Sequence, residues 1–149
     1  MLEWTCKPFC QLSVDELYQI LKLRVDVFVV EQNCPYSELD GHDTHPELRH
    51  LMLYQQGKLS AYARLLAPNT TYPTVSIGRV IVAPHARAKK LGRALMLEAI
   101  AQCKKIWPEQ PITIEAQAHL QAFYESVGFY AISDIFLEDG IEHRNMRLD

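Results

Sequence analysis

Residues 80–97, VIVAPHARAKKLGRALML, decide how this chain folds. The apolar run Val80 to Val82 stops at Pro84, a loop follows with Arg87, Lys89 and Lys90, and Gly92 opens a segment in which Leu95, Ala99, Ile100 and Cys103 recur at helical spacing. A strand hands over to a helix here, with cations and exposed backbone amides gathered at the junction. Helix N-termini carry unsatisfied N–H groups and the positive end of the helix dipole, so the junction suits an anion, above all a phosphate. Cations at that place oppose the dipole. Four of them within seven residues, Arg87, Lys89, Lys90 and Arg93, are unfavourable unless an anion joins them.

Downstream, the helix from about Leu91 to Ile106 ends before Pro108, and PITIEA gives another short strand. Strand, helix and strand make a βαβ unit, so the strands ending near Val82 and Ala116 lie parallel, and ligands gather beyond their carboxyl ends. His119 to Val127 forms a last helix stopped by Gly128, and the remaining residues form a hairpin around Glu138, Asp139 and Gly140. Upstream, Ser13 and Glu16 make a capping box for a helix from about 13 to 29. Residues 31–50, EQNCPYSELDGHDTHPELRH, lose all periodicity and form a long surface loop rich in acids. HLMLYQ and KLSAYARLL then form a hairpin around Gln56 and Gly57, and TVSIGRVIV ends in a run that reads as buried on both faces. The whole is α+β: a mixed central sheet of about six to seven strands, mostly antiparallel with one parallel pair, and helices on both faces.

At 149 residues and 48% apolar content the chain is sized for one domain, 1–149. A formal net charge of −3 argues against nucleic acid or an anionic membrane as partner. No apolar run approaches the ~20 residues of a membrane span, and MLEWTCKPFC lacks the pattern of a signal peptide; a cytoplasmic location is expected. Cys6, Cys10, Cys34 and Cys103 form no CxxC pair, and their spacing with His42, His45 and His50 matches no zinc pattern, so reduced thiols and no metal are expected.

With these residues in place, the chain resembles the GNAT superfamily of acyl-CoA-dependent N-acetyltransferases. The family's pyrophosphate loop, Q/RxxGxG/A, corresponds to Arg87, Ala88, Lys89, Lys90, Leu91 and Gly92. AHLQAFYESVGF, from Ala118 to Phe129, looks like the family's late helix, with Tyr124 four residues before a GF pair. The segments starting at Leu23, Ala61, Ser76, Glu115 and Glu138 (EDGIEH) are similar to signatures of the ElaA-like group, so the resemblance covers nearly the whole chain. One departure stands out: Lys90 replaces the loop's first glycine, a position where glycine permits positive φ or close approach to phosphate. A lysine there either supplies a compensating cation or weakens coenzyme binding; compensation is expected, because Gly92 and the helix start remain and Arg87, Lys89 and Arg93 add charge beside them.

The resemblance implies direct acetyl transfer from acetyl-CoA to a primary amine of a small molecule or peptide, with no covalent enzyme intermediate. It implies that main-chain atoms of Val80, Ile81 and Val82 hold the pantetheine arm and support the thioester oxygen, with Arg93, Gln117, Leu120 and Phe123 completing the cofactor site. Tyr124 matches the general acid. The base is open: Glu115 sits near the end of a strand where alternation faces it to the cleft, and Glu38, Asp40, His42 and Asp43 on the long loop are rivals. Such loop acids are ordinarily solvated, and His42, His45 and His50 ordinarily exposed or capping. Arg79, between Gly78 and an apolar strand end, needs an anionic partner if buried, either a loop acid or a substrate carboxylate. The acidic loop attracts a cationic amine. The contrasting reading is a CoA-binding or sensor protein of the same fold with weak turnover. A homodimer is one of the oligomeric states left open.

Overall fold

Gln56 and Gly57 both adopt positive φ, 52° and 77°, and Asp139 and Gly140 repeat the pair at 52° and 77°. Two-residue turns of this kind match the twist of the strands they join, which is why both predicted hairpins form. The computed structural model describes residues 2–149. Among them are eight strands: β1 (Trp4–Lys7), β2 (Arg49–Gln55), β3 (Lys58–Leu66), β4 (Val75–Val82), β5 (Ile112–Gln117), β6 (Tyr130–Ala131), β7 (Phe136–Glu138) and β8 (Ile141–Leu148). The helices are α1 (Val14–Arg24), α2 (Leu91–Ile106) and α3 (Gln121–Glu125).

The sheet runs β1-β2-β3-β4-β5-β8-β6, with β7 also on β8. Every pairing is antiparallel except β4 with β5. β3 is an interior strand, between β2 and β4, buried from Leu59 to Leu66, and its alternation feeds two cores. On one face Ala61, Ala63 and Leu65 meet Leu95, Met96, Ala99 and Cys103 of α2; on the other Tyr62 joins Met52, Ile81 and Ile20 of α1. Each fully buried leucine contributes about 1.5–3 kcal/mol, so α2, with Leu91 and Leu95 in the core, is held by packing.

Four departures from the sequence expectations have physical reasons. Eight strands replace six to seven, because WTCK pairs along β2 and the short β6 and β7 share the edge of β8. The first helix is α-helical only to Arg24, although Ser13 caps it as expected, and residues 25–31 continue as a π-helical stretch. The last helix shrinks to α3 after a tight turn at 118–120, while Gly128, at φ 111°, does end it. The long loop holds no regular element between residues 32 and 48, yet Glu38 and Asp43 are buried in it rather than solvated, and so is His50 just beyond it. No described helix is long and apolar enough to cross a membrane.

Candidate active site

The site originates in a defect of the sheet. Tyr62 pairs with Ile81 and Arg64 with Gly78, so Arg79 and Val80 together oppose the single residue Ala63, and Arg79 takes φ 51°. This bulge bends β4. Its parallel ladder with β5 holds only at Val75↔Ile112 and Ser76↔Thr113. Beyond those pairs a cleft of about 990 Å³ opens, with Ile77 to Val80 on one wall and Ile114, Glu115 and Gln117 on the other.

A buried ion network sets the bulge. Arg24, fully buried, donates from Nε to Glu38 at 2.6 Å and from Nη1 to Asp43 at 2.7 Å. Arg79 donates to the same Glu38 oxygen at 2.8 Å, and Tyr36 donates to the other one. Arg64 binds Asp40 through two nitrogens at 2.9 and 2.7 Å and reaches Asp43 at 3.1 Å. Three arginines thus neutralise three carboxylates, with each charge hydrogen-bonded, as burial requires. Burial raises the pKa of Asp40 and Asp43, but the arginines override it and hold both below the ordinary range. His50 donates from Nε2 to the Asp43 carbonyl oxygen at 3.1 Å, so in the neutral ring Nδ1 accepts from Tyr62 Oη at 2.6 Å, and burial lowers its pKa. Glu38 is therefore committed to the network, and Arg79 has taken the loop acid as its partner. Asp40 and Arg79 reach the cleft wall, while His42 stands off it, its backbone N–H capped by Asp40.

At the loop end, the segment Pro84–Lys89 leads to Lys90 at φ 55°, ψ 35°, the left-handed region glycine enters freely and other residues enter at about 1–2 kcal/mol. No side chain caps the N-terminus of α2. Lys89 and Lys90 are exposed and have no acidic partner among the described residues. Arg87 forms a bidentate pair with Glu31 at 2.5 and 2.8 Å. Ala88 is exposed, Leu91 is buried in the core, Arg93 is held by Ser126, and Gly92 lies against Phe123, 3.7 Å from where a Cβ would be. Val80 lines the cleft; Ile81 and Val82 turn into the cores on opposite faces.

Gln117, Leu120 and Tyr124 line the cleft as well. Tyr124 is held edge-on by Phe123 and Phe129, its hydroxyl has no partner among the described residues, and burial pushes its pKa up to about 12. Glu115 faces the cleft beside Glu138; burial and then that neighbour raise its pKa. Tyr72, Glu138, Asp139 and His143 complete this half of the cleft and were not singled out from sequence. The hairpin signal around Asp139 could have pointed to them, but only the bulge in β4 shows that this hairpin meets the cleft. No group of three or more His, Cys, Asp or Glu positioned for a metal ion occurs among the described residues.

The Acetyltransferase (GNAT) domain family matches residues 21–149. The chain belongs to this family. It is 44% identical to Protein ElaA of Escherichia coli K12 over 146 residues, 98% of this chain and 95% of that one. The crystal structure of an acyl-CoA N-acyltransferase from Pseudomonas aeruginosa superposes with TM-score 0.95 at 46% identity, and that of Escherichia coli ElaA with 0.94 at 43%, each covering both chains completely. The fold is thus the GNAT fold, the group is ElaA-like, and the chain is by family an acyltransferase.

Proposed function

We propose that this chain transfers an acetyl group from acetyl-CoA directly to a primary amine, with Tyr124 as general acid. The observation that carries this reading is the Tyr124 hydroxyl: without a partner among the described residues, held in its protonated form by burial, and set in a cleft that opens where β4 parts from β5. The loop suits the cofactor, since the N-terminus of α2 is uncapped and Lys89 and Lys90 have no anion among the described residues.

Acetyl-CoA supplies the activated thioester. Arg87, Lys89, Lys90 and the backbone from Ala88 to Arg93 hold its pyrophosphate. The main chain of Val80 to Val82 holds the pantetheine arm as an added strand and offers an amide to the carbonyl oxygen. Gln117, Leu120 and Phe123 flank the arm. Glu115 and Glu138 give the other half of the cleft the negative charge that draws an amine, while Asp40 on its wall is neutralised by Arg64. Glu38 and Arg79 keep the bulge in place.

The test is thiol release from acetyl-CoA across a panel of polyamines, amino acids, aminoglycosides and peptides. Amine-dependent release supports the transferase. Tight CoA binding without release by any amine supports the sensor reading instead.

A further inference from the structure

We propose that His143 is the general base that deprotonates the acceptor amine, an assignment that rests on the transferase reading above. His143 lies on β8 opposite Gln117 of β5, and Asn145 lies opposite Glu115. Directly opposed residues share a face of the sheet, so His143, Gln117 and Glu115 stand in one patch, and all three line the cleft that also holds Tyr124. The Tyr72 hydroxyl, donating to Asn145 Oδ1 at 3.1 Å, closes the patch from the loop before β4.

The imidazole is prepared for proton transfer. Nδ1 lies 2.8 Å from the carbonyl oxygen of Ile141. A carbonyl only accepts, so Nδ1 carries the hydrogen, and in the neutral ring the lone pair is on Nε2. Nε2 has no partner among the described residues and is not sealed away. Phe136, opposite on β7, stacks on the ring with centroids 6.2 Å apart at 23°, which fixes its plane.

The carboxylates nearby do a different task. Glu115 on β5, Glu138 on β7 and Asp139 in the turn form the negative surroundings of the ring, with Arg79 on β4 and His119 at the start of the late helical segment as the facing cationic or titratable groups. An amine held among carboxylates is stabilised as its ammonium, which has no lone pair for attack. A separate acceptor must remove the proton, and histidine is the side chain suited to that near neutral pH.

The transfer balances as follows. Nε2 takes one proton from the ammonium and passes it to solvent through the open cleft. The nitrogen lone pair then forms the C–N bond as the C–S bond breaks and sulfur departs with the electron pair. Tyr124 gives sulfur a proton and regains its own from solvent, while Nε2 takes the second proton from nitrogen and releases it to solvent as it did the first. One proton is released per turnover.

The experiment compares wild type, His143→Asn and His143→Ala with acetyl-CoA and whichever panel amine gives the fastest thiol release. Asn retains a donor for the Ile141 carbonyl and lacks the basic ring nitrogen. It is expected to lower kcat/KM by about 100-fold or more, to abolish the acid limb of the kcat/KM profile, and to leave CoA affinity and Tm near wild type. His143→Ala should be equally slow and regain rate with added imidazole. An acid limb that persists in His143→Asn with a near-normal rate, or a slow His143→Ala that imidazole does not restore, overturns the assignment while the transferase reading stands. Absence of amine-dependent release in the wild type overturns both.

Discussion

Two residues carry opposite kinds of tension. Lys90 occupies the left-handed region without a glycine's freedom, and strain of this sort persists at functional positions when something compensates it. If the compensation is a phosphate contact, Lys90→Gly should raise stability by about 0.5–1 kcal/mol, as the backbone relaxes. It should at the same time weaken CoA by about two- to five-fold, the worth of one exposed charge contact. Thermal melts and calorimetric titration with CoA at low ionic strength read both effects; tighter CoA binding in the variant would show that the lysine is only tolerated. Tyr124 is tension of the other kind, a phenol pushed up to about 12 by burial and therefore protonated throughout the neutral range. Tyr124→Phe keeps the ring contacts with Phe123 and Phe129 and removes only the donor. The maximal rate should fall by about 100-fold with CoA affinity little changed, and an unaltered rate across pH 6–9 would remove Tyr124 from the chemistry.

Among the elements, the loop at 32–48 behaves least as its composition suggests. Its acids look solvated in sequence, but Arg24 and Arg64 sit within apolar runs of α1 and β3 and need anions, which the buried Glu38 and Asp43 and the more exposed Asp40 provide. That match was legible in principle, since two arginines in apolar positions call for two acids elsewhere; which acids answer depends on three-dimensional closure that spacing does not encode. The hairpins, α2 and the βαβ unit were readable because local turn residues and periodicity determine them. β1 escaped because four residues give no periodic signal, and its pairing is made by β2. The clamp has a pH consequence. Burial lowers the pKa of His50, and the arginines hold Asp40 and Asp43 down against burial. Groups depressed in the folded state add stability above their unfolded pKa and lose it as pH falls toward the folded value. Tm should therefore be level above about pH 6.5, decline toward pH 5 as unfolded histidine takes up protons, and fall again below about pH 4 with the aspartates. In His50→Gln the first decline should vanish even if the whole curve lies lower; its survival in melts taken every half unit would assign it to another group.

Over the whole molecule, a net charge of −3 hides a division of charge between the two halves of the site. Lys89 and Lys90 stand at the N-terminus of α2, whereas Glu115, Glu138 and Asp139 surround the far part of the cleft. The βαβ junction and the edge hairpin impose this separation, because β5 is flanked by β4 on one side and β8 on the other. Each end then favours the substrate of opposite charge, and the two should respond independently to mutation. Lys89→Glu exchanges an attraction to phosphate for a repulsion, together about 1–2 kcal/mol at an exposed site, so the Kd for CoA should rise roughly ten-fold at low ionic strength and recover partly with salt. S-acetylpantetheine, which has no pyrophosphate, should react with the variant as it does with wild type. Glu138→Lys should do the reverse, raising KM for a cationic amine while CoA affinity holds. Equal losses for acetyl-CoA and S-acetylpantetheine in Lys89→Glu would mean that the substitution distorts the junction, and the phosphate would have to be placed elsewhere on the molecule.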